Sequence, residues 1–325
     1  MSRTTIRRRD FLKTVAAAAV GAATPPPRGP VPSAGSPHDA KGLPTVTLGR
    51  TGAVVPRIGI GLGSRFCAVE DEDRAREILE AALDQGFYYW DTAFNYTNKT
   101  IVSEERIGRV LEARRAEVFL ATKFEERTYN GVMRQLEGSL KRLRTDRLDL
   151  YQVHGVSAKE DVAAWDKPTG VYKALLKLRD QKVTRFIGVT GHESAEMLLR
   201  AIRMYEFDTL LTTLNPTSRR RPFRSELLPA AVEKKMAVMA MKVMGGGNGC
   251  LVTGNPFRKV LQPYHDQTSH QVDAPALIRY ALGLPITAAV IGVASVEQLK
   301  ANIRVVKEEK PMEAAQQRQL EELIG

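Results

Sequence analysis

Eight short apolar runs alternate with amphipathic segments along the chain, and this alternation limits the possible folds more than any other feature. The amphipathic segments repeat their apolar residues every three or four positions, as helices on a buried sheet do. Regular succession of strand and helix favours an α/β fold with a parallel sheet. The apolar runs are Arg57–Gly63, Phe87–Ala93, Val118–Lys123, Leu148–His154, Thr184–Thr190, Thr209–Asn215, Met236–Val243 and Ala288–Val293. The clearest predicted helices are Asp71–Gln85, Gly131–Arg144, Val171–Gln181 and Ser295–Val306.

Three consecutive apolar runs end on a polar side chain at nearly constant spacing. Asp91, Lys123 and His154 are separated by 32 and 31 residues, and one βα unit is about thirty residues long. This spacing predicts that all three lie at the carboxyl ends of neighbouring strands, where barrel enzymes carry their chemistry. A doubly wound sheet would require a GxGxxG turn, but Gly59–Gly63 has the wrong spacing and lies within a predicted strand. The sequence therefore favours a (β/α)8 barrel of the TIM type.

Two short β-forming segments precede the first barrel strand. Val46–Leu48 and Ala53–Val55 flank the turn sequence Gly-Arg-Thr-Gly, which predicts an N-terminal β-hairpin that closes the lower end of the barrel. We expect the barrel domain to extend over residues 43–325.

The first forty residues differ from the rest of the chain. Residues 8–13, Arg-Arg-Asp-Phe-Leu-Lys, match the twin-arginine export signature, and a short apolar stretch with small residues follows up to Ala23. We predict a signal peptide over residues 1–23 and a proline-rich linker over residues 24–42. The apolar stretch is about ten residues long, whereas a bilayer span needs about twenty. The expected partner is the twin-arginine export machinery, with a periplasmic or otherwise exported product and no stable membrane insertion after signal removal.

Charge and cysteine content exclude several classes of function. The net charge is +11; residues 1–23 hold five Arg or Lys and one Asp, so the remainder carries +7. Apart from Arg219–Arg221 and Arg224, these charges are scattered through helical segments without interleaved aromatic residues. We interpret them mainly as solvated surface and expect no nucleic-acid partner. Cys67 and Cys250 are the two cysteines, which predicts neither a disulfide framework nor a metal site.

A tyrosine lies close in sequence to the first of the three polar strand ends. Tyr96 follows Asp91 by five residues, in a polar segment. Separately, such residues are usually helix caps, packing groups or satisfied hydrogen-bonding groups. A lysine at the end of a buried strand, however, needs a charged partner because an unpaired ammonium is costly to desolvate. Asp91 can serve as that partner for Lys123, so the side chains are expected to converge on one point.

These residues resemble the catalytic tetrad of the aldo-keto reductases. The resemblance spans about residues 43–302 and rests on Asp91-Thr92-Ala93-x-x-Tyr96, Ala121-Thr122-Lys123 and Gln152-Val153-His154. It implies an NAD(P)(H)-dependent oxidoreductase that transfers hydride between nicotinamide C4 and a carbonyl or alcohol substrate. Tyr96 would then be the general acid/base, with a pKa lowered by Lys123. Asp91 would hold the lysine charged, and His154 would orient the carbonyl oxygen.

The resemblance also implies a set of cofactor contacts. Thr190 and Asn215 would hold the nicotinamide carboxamide, and a glycine-rich turn after the seventh strand would hold the diphosphate. Gln298 stands where relatives commonly have an arginine that binds the 2′-phosphate of NADP(H). The chain therefore lacks an arginine there that could bind this phosphate with two parallel hydrogen bonds. We expect NADP(H) in preference to NAD(H). The full predicted set is Gly63, Ser64, Thr190, Asn215, Met241, Lys242, Gly245, Gly246, Ser295, Gln298 and Asn302.

Some features leave alternatives open. Met241 replaces a common aromatic residue, and Thr97–Val102 lengthens a turn that is short in relatives, so it should reshape the substrate mouth. A Schiff-base enzyme that uses Lys123 would leave Tyr96 and the glycine-rich turn unexplained. A cofactor-retaining epimerase or isomerase and a weakly active dinucleotide-binding interaction module remain alternatives to the oxidoreductase. The sequence gives the substrate only as a small carbonyl compound, and Cys250, Phe257, Tyr264, His265 and His270 could line its pocket.

Overall fold

The computed structural model of the protein describes residues 38–246, 250–253 and 270–325. The predicted signal peptide, residues 24–37 of the predicted linker, and the candidate pocket residues Phe257, Tyr264 and His265 lie outside this part. Residue 41, near the end of the predicted linker, contacts the barrel domain: Lys307 donates a hydrogen bond from Nζ to the Lys41 carbonyl oxygen at 2.8 Å.

Eight parallel strands form a closed barrel, which confirms the predicted (β/α)8 fold. They are neighbours in chain order, and the ring closes where the first barrel strand pairs with the last. Nearly every residue of these strands is buried, as expected for parallel strands covered by helices. The strands are β1 (Thr45–Thr47), β2 (Val54–Pro56), β3 (Ile58–Gly61), β4 (Tyr89–Asp91), β5 (Thr97–Asn98), β6 (Ile101–Val102), β7 (Phe119–Phe124), β8 (Leu148–Val153), β9 (Thr184–Gly191), β10 (Thr209–Thr213), β11 (Ala237–Met241) and β12 (Ala288–Gly292). The barrel consists of β3, β4 and β7–β12.

Amphipathic helices cover the barrel, and several begin at side-chain caps. Asp71 and Thr128 accept hydrogen bonds from the backbone N–H groups of Arg74 and Gly131, as N-cap residues do. The helices are α1 (Ser64–Cys67), α2 (Glu72–Asp84), α3 (Ser103–Arg114), α4 (Tyr129–Arg142), α5 (Val171–Asp180), α6 (Ala195–Met204), α7 (Leu228–Glu233), α8 (Ala274–Gly283), α9 (Val296–Glu308) and α10 (Ala314–Ile324). Within the described ranges, no helix combines the length and the apolar character that a bilayer span requires.

The predicted N-terminal hairpin is formed by β1 and β2, which pair antiparallel. Its turn contains Gly49, whose φ is +51°; a Cβ added there would lie 2.4 Å from the backbone nitrogen of Ala237. Ala237 begins β11, so the turn packs against the amino ends of the barrel strands. A side chain at position 49 would prevent this close approach.

A second hairpin lies at the opposite end of the barrel. β5 and β6 pair antiparallel across a turn in which Lys99 has a φ of +52°. This hairpin is the long segment Thr97–Val102 noted in the sequence, and it directly follows Tyr96. The carboxyl end of the barrel therefore carries a structured addition beside the predicted tyrosine.

Candidate active site

A buried lysine holds the centre of the predicted site together. Lys123 donates hydrogen bonds from Nζ to Asp91 Oδ2 at 2.5 Å and to the Thr92 carbonyl oxygen at 2.7 Å. The same nitrogen lies 3.5 Å from the Tyr96 hydroxyl. Lys123 and Asp91 are 1% and 3% exposed, so the ion pair is almost completely removed from water. The convergence of aspartate, tyrosine and lysine is as predicted.

The sequence analysis missed the second partner of this aspartate. Gln152 Nε2 donates to Asp91 Oδ1 at 3.1 Å, so both carboxylate oxygens are engaged. Gln152 lies opposite Lys123 in the pairing of β8 with β7. It lies two residues before His154, on the same side of a strand with period two. This alternation of side chains along the strand is the sequence signal from which Gln152 could have been identified.

His154 completes the predicted group as a neutral imidazole. Its ring packs edge-on against Tyr96, with 5.6 Å between ring centroids. Burial, and then the positive charge of Lys123, holds the pKa of His154 well below its usual range. Nδ1 has no hydrogen-bond partner among the described residues. A neutral imidazole beside a phenol can hydrogen-bond a carbonyl oxygen without placing a second cation there.

The pKa predicted for the tyrosine was wrong in direction. Burial raises the pKa of the Tyr96 phenol above its usual value, and the opposing effect of Lys123 is smaller. The ammonium behaves as expected: burial lowers the pKa of Lys123, but Asp91 and Tyr96 outweigh this and raise it overall. The prediction took account of the charge of Lys123 but not of the removal of the phenol from water, which raises its pKa. The phenol is therefore in its protonated form at neutral pH.

A buried ion pair supports the loop between Asp91 and Tyr96. Glu104 accepts hydrogen bonds from Thr122 at 2.7 Å and from Arg142 Nη2 at 2.5 Å. The Arg142 guanidinium lies over the ring of Phe94, 4.2 Å from its centroid. The Phe94 backbone N–H donates to the Lys123 carbonyl oxygen at 3.0 Å. These contacts fix the loop two residues before Tyr96, and sequence analysis assigned them no role.

One cleft of about 630 Å³ opens above this group at the carboxyl end of the barrel. Its volume is in the range of small-molecule sites. Asp91, Tyr96 and His154 line the cleft, whereas Lys123 lies behind them. Seven of the predicted cofactor residues also line it: Gly63, Ser64, Met241, Lys242, Gly246, Gln298 and Asn302.

Residues 57–324 match the sequence profile of the Aldo/keto reductase family. The chain belongs to the aldo/keto reductase family. It is an oxidoreductase of that type, as the resemblance predicted.

Similar proteins agree with this membership. The aldo/keto reductase is 28% identical to the uncharacterized oxidoreductase YrpG of Bacillus subtilis over 300 residues, 80% of this chain and 90% of that one. It is 29% identical to a D-threo-aldose 1-dehydrogenase of a Pseudomonas species over 231 residues, 60% and 68% of the two chains. The fold is shared with aldo-keto reductase AKR11C1 of Bacillus halodurans in its holo form, with a TM-score of 0.71, 22% identity and coverage of 87% and 97%. It is also shared with an aldo-keto reductase of Klebsiella pneumoniae in complex with NADPH, with a TM-score of 0.67, 22% identity and coverage of 86% and 94%.

Four predicted cofactor residues do not line the cleft. Asn215 donates from Nδ2 to the Lys242 carbonyl oxygen at 3.0 Å and accepts a hydrogen bond from Thr217. Thr190 Oγ1 accepts from the Gly155 backbone N–H at 3.4 Å. Both are fully buried, so in this structure they support neighbouring backbone. Gly245 and Ser295 are also absent from the cleft lining, and cofactor contacts by all four remain predictions.

The turn after β11 and the start of α9 fit a dinucleotide. Gly246, with a φ of +113°, can present its backbone N–H group to a diphosphate, whereas the Gly245 N–H donates to the Lys242 carbonyl oxygen at 2.8 Å. Lys242 adds a positive charge at the same wall. Ser295 and Gln298 accept hydrogen bonds from the Gln298 and Ala294 backbone N–H groups at the start of α9; the Gln298 side chain still borders the cleft.

Two further cleft residues were not selected from the sequence. Arg65 lies on α1, and His192 directly follows β9; both border the cleft. Burial, and then the charge of Lys242, lowers the pKa of His192 to about 3. The cleft therefore contains a second neutral imidazole and a second cation. Both lie beyond the last residue of a strand, where strand periodicity no longer gives the direction of a side chain.

Proposed function

We propose that this enzyme transfers hydride between C4 of a nicotinamide dinucleotide and a carbonyl or alcohol substrate, with Tyr96 as general acid and base. The observation that carries the proposal is the contact of one buried ammonium, Lys123, with both the Asp91 carboxylate and the Tyr96 hydroxyl. This group lies at the floor of a cleft whose other wall fits a dinucleotide.

The residues have distinct tasks in the reduction. A bound reduced nicotinamide supplies the hydride. Tyr96 holds a proton at Oη, because burial keeps the phenol protonated, and donates it to the carbonyl oxygen. Lys123 stabilises the phenolate that remains, and Asp91 keeps the lysine charged and oriented. The neutral His154 orients the carbonyl oxygen by a hydrogen bond.

We infer that the cofactor is NADP(H) in preference to NAD(H). NADPH is bound by the similar aldo-keto reductase of Klebsiella pneumoniae. In the present enzyme Lys242, Gln298 and Asn302 supply donors along the cleft.

We also propose that the chain is exported by the twin-arginine machinery. The support is the sequence of residues 8–13 and the apolar stretch that follows. This route carries proteins that fold before crossing, and an enzyme with a dinucleotide can then acquire its cofactor before export.

Replacing Tyr96 by phenylalanine tests the catalytic proposal. Tyr96→Phe removes the proton donor but keeps the ring beside His154, so kcat for aldehyde reduction should fall about 10²- to 10⁴-fold. The dissociation constants of NADPH and NADH, measured by fluorescence titration, should change little. Wild-type kcat/KM should be level across neutral pH and fall on the alkaline side, because only the protonated phenol can donate.

Two results would contradict this assignment. Undiminished reduction by Tyr96→Phe would remove the tyrosine from the chemistry. Conversion of a substrate to its isomer without added cofactor and without net oxidation would favour the epimerase or isomerase instead.

A further inference from the structure

The cleft carries a cation that the proposed chemistry does not use. Arg65 borders the cleft together with Tyr96 and His154, and its side chain is half-buried. Burial lowers the pKa of its guanidinium from the usual value, but an arginine stays charged in proteins. A partly dehydrated cation that faces a binding cleft is a candidate for recognising an anionic group.

A glycine allows the stem of this arginine to lie close to the end of β12. A Cβ added at Gly292, the last residue of β12, would lie 3.1 Å from Arg65 Cβ and 3.5 Å from Arg65 Cγ. The absence of a side chain at position 292 therefore lets the arginine stem lie against the strand end. A preorganised stem reduces the entropy lost when the guanidinium binds.

Arg65 follows a strand that separates the tyrosine-bearing strand from β12. This strand is β3, the barrel neighbour of β4, which carries Asp91 and leads to Tyr96. The Tyr96 ring packs over Gly63, where an added Cβ would lie 3.1 Å from Cε2. Lys242 and the glycine turn follow β11, separated from β3 by β12. Arg65 therefore borders the same cleft as Tyr96, and its stem also lies against Gly292 of β12.

Two cations, Arg65 and Lys242, line the described part of the cleft. Among the described residues that line it, Asp91 is the acidic one, and Lys123 neutralises it. His154 and His192 are held neutral, because their pKa values lie below the physiological range. Of the two cations, Lys242 belongs to the proposed cofactor wall, and Arg65 has no assigned role.

We propose that Arg65 recognises a carboxylate on the substrate, so that the preferred substrates are carbonyl compounds that carry a carboxylate. This inference rests on the proposed oxidoreductase function and adds the substrate class. A single guanidinium fork matches one carboxylate, with two parallel N–H···O bonds. Its five N–H donors allow it to keep a protein partner at the same time.

Matched aldehydes test the proposal. Binding of 4-carboxybenzaldehyde and benzaldehyde to the full chain loaded with NADP⁺ is measured by calorimetry, and kcat/KM is measured with NADPH. Succinic semialdehyde and butanal form a shorter pair. The wild-type enzyme should prefer the carboxylate member of each pair by about tenfold or more in binding and in kcat/KM, as a charge-assisted hydrogen bond would give.

Substitutions assign the preference to one side chain. Arg65→Gln should reduce the preference to about twofold or less, mainly through KM, and Arg65→Lys should restore part of it because the charge returns without the fork. Arg134→Gln, at an exposed position on α4, removes the same net charge and should leave the preference unchanged. The dissociation constants of NADPH and NADH should stay within about twofold in all variants.

The possible results distinguish a failure of the carboxylate site from a failure of the proposed hydride transfer. Equal binding of both members of each pair by the wild type would overturn the carboxylate site, even if both are reduced. An Arg65→Gln variant that binds the dinucleotides more weakly but keeps the preference would assign the arginine to the cofactor and also overturn it. A binding preference without any turnover would support the carboxylate site while the proposed hydride transfer fails.

Discussion

At the scale of single residues, the site depends on one buried pair of opposite charges. Lys123 and Asp91 are almost completely removed from the bulk water that would otherwise solvate each charge. Breaking a buried pair leaves an uncompensated charge, whereas removing both charges leaves none. The pair therefore matters to folding as well as to the proposed chemistry.

A double-mutant cycle on this pair should show strong coupling. Lys123→Met is expected to lower the free energy of unfolding by about 3–5 kcal/mol because it strands the Asp91 charge. The double variant Asp91→Asn/Lys123→Met should lose less than the sum of the two single variants, by about 0.5–3 kcal/mol. Urea denaturation followed by circular dichroism measures all four proteins. Simple additivity would show that the two charges do not depend on each other.

At the scale of elements, the second hairpin and α1 together form one edge of the cleft. Asn98 in β5 donates from Nδ2 to the Cys67 carbonyl oxygen at the end of α1, at 3.1 Å. The Ser103 backbone N–H donates to the Tyr96 carbonyl oxygen at 3.0 Å, which closes the base of the hairpin. Thr97 and Cys67 both border the cleft. The hairpin thus connects the backbone of Tyr96 to the wall that carries Arg65.

Loss of the Asn98 donor should loosen this edge. Asn98→Asp keeps the size of the side chain but cannot donate to the Cys67 carbonyl oxygen, so kcat/KM for aldehydes should fall about fivefold, the equivalent of roughly one neutral hydrogen bond. Cofactor dissociation constants should be unchanged, because the hairpin lies on the substrate side.

Lys99→Ala provides the matched control in the same turn. Lys99 forms an ion pair with Glu70 at 3.0 Å, and the two side chains are 74% and 73% exposed. Exposed pairs of this kind contribute about 0–1 kcal/mol, so kcat/KM should change little. An equal loss in both variants would mean that the hairpin acts only through its general stability.

Sequence analysis succeeded where a repeated pattern carried the information. The eight strands and the aligned ends at Asp91, Lys123 and His154 follow from periodicity, because parallel strands bring their carboxyl ends to one face. It failed where a contact joins residues that no local pattern links. The Asn215 amide donates to the Lys242 carbonyl oxygen, 27 residues away, and the environment of the Tyr96 phenol depends on Lys123 and His154, which lie in or directly after other strands.

At the scale of the whole molecule, both ends of the barrel sequence build the cleft. Gly61 and Gly63 come from the first barrel strand and its turn, whereas Gly292 and Asn302 come from the last strand and α9. β3 pairs with β12, so the ring closes only when the complete barrel sequence is available. Such long-range pairing forms slowly. A dinucleotide can therefore bind only after the whole domain has folded.

For the proposed twin-arginine route, this dependence predicts that the enzyme folds and binds its dinucleotide before export. Replacing Arg8 and Arg9 by lysine should keep the folded, loaded enzyme in the cytoplasm, because the export machinery reads the arginine pair. The exported wild type should retain its dinucleotide through a desalting step, detected by the absorbance of the reduced nicotinamide, and Lys123→Met should be exported poorly despite an intact arginine pair. Cell fractionation with immunoblotting measures the distribution. Equal export of the double-lysine variant would contradict the twin-arginine route. An exported enzyme that arrives without dinucleotide would contradict binding of the cofactor before export.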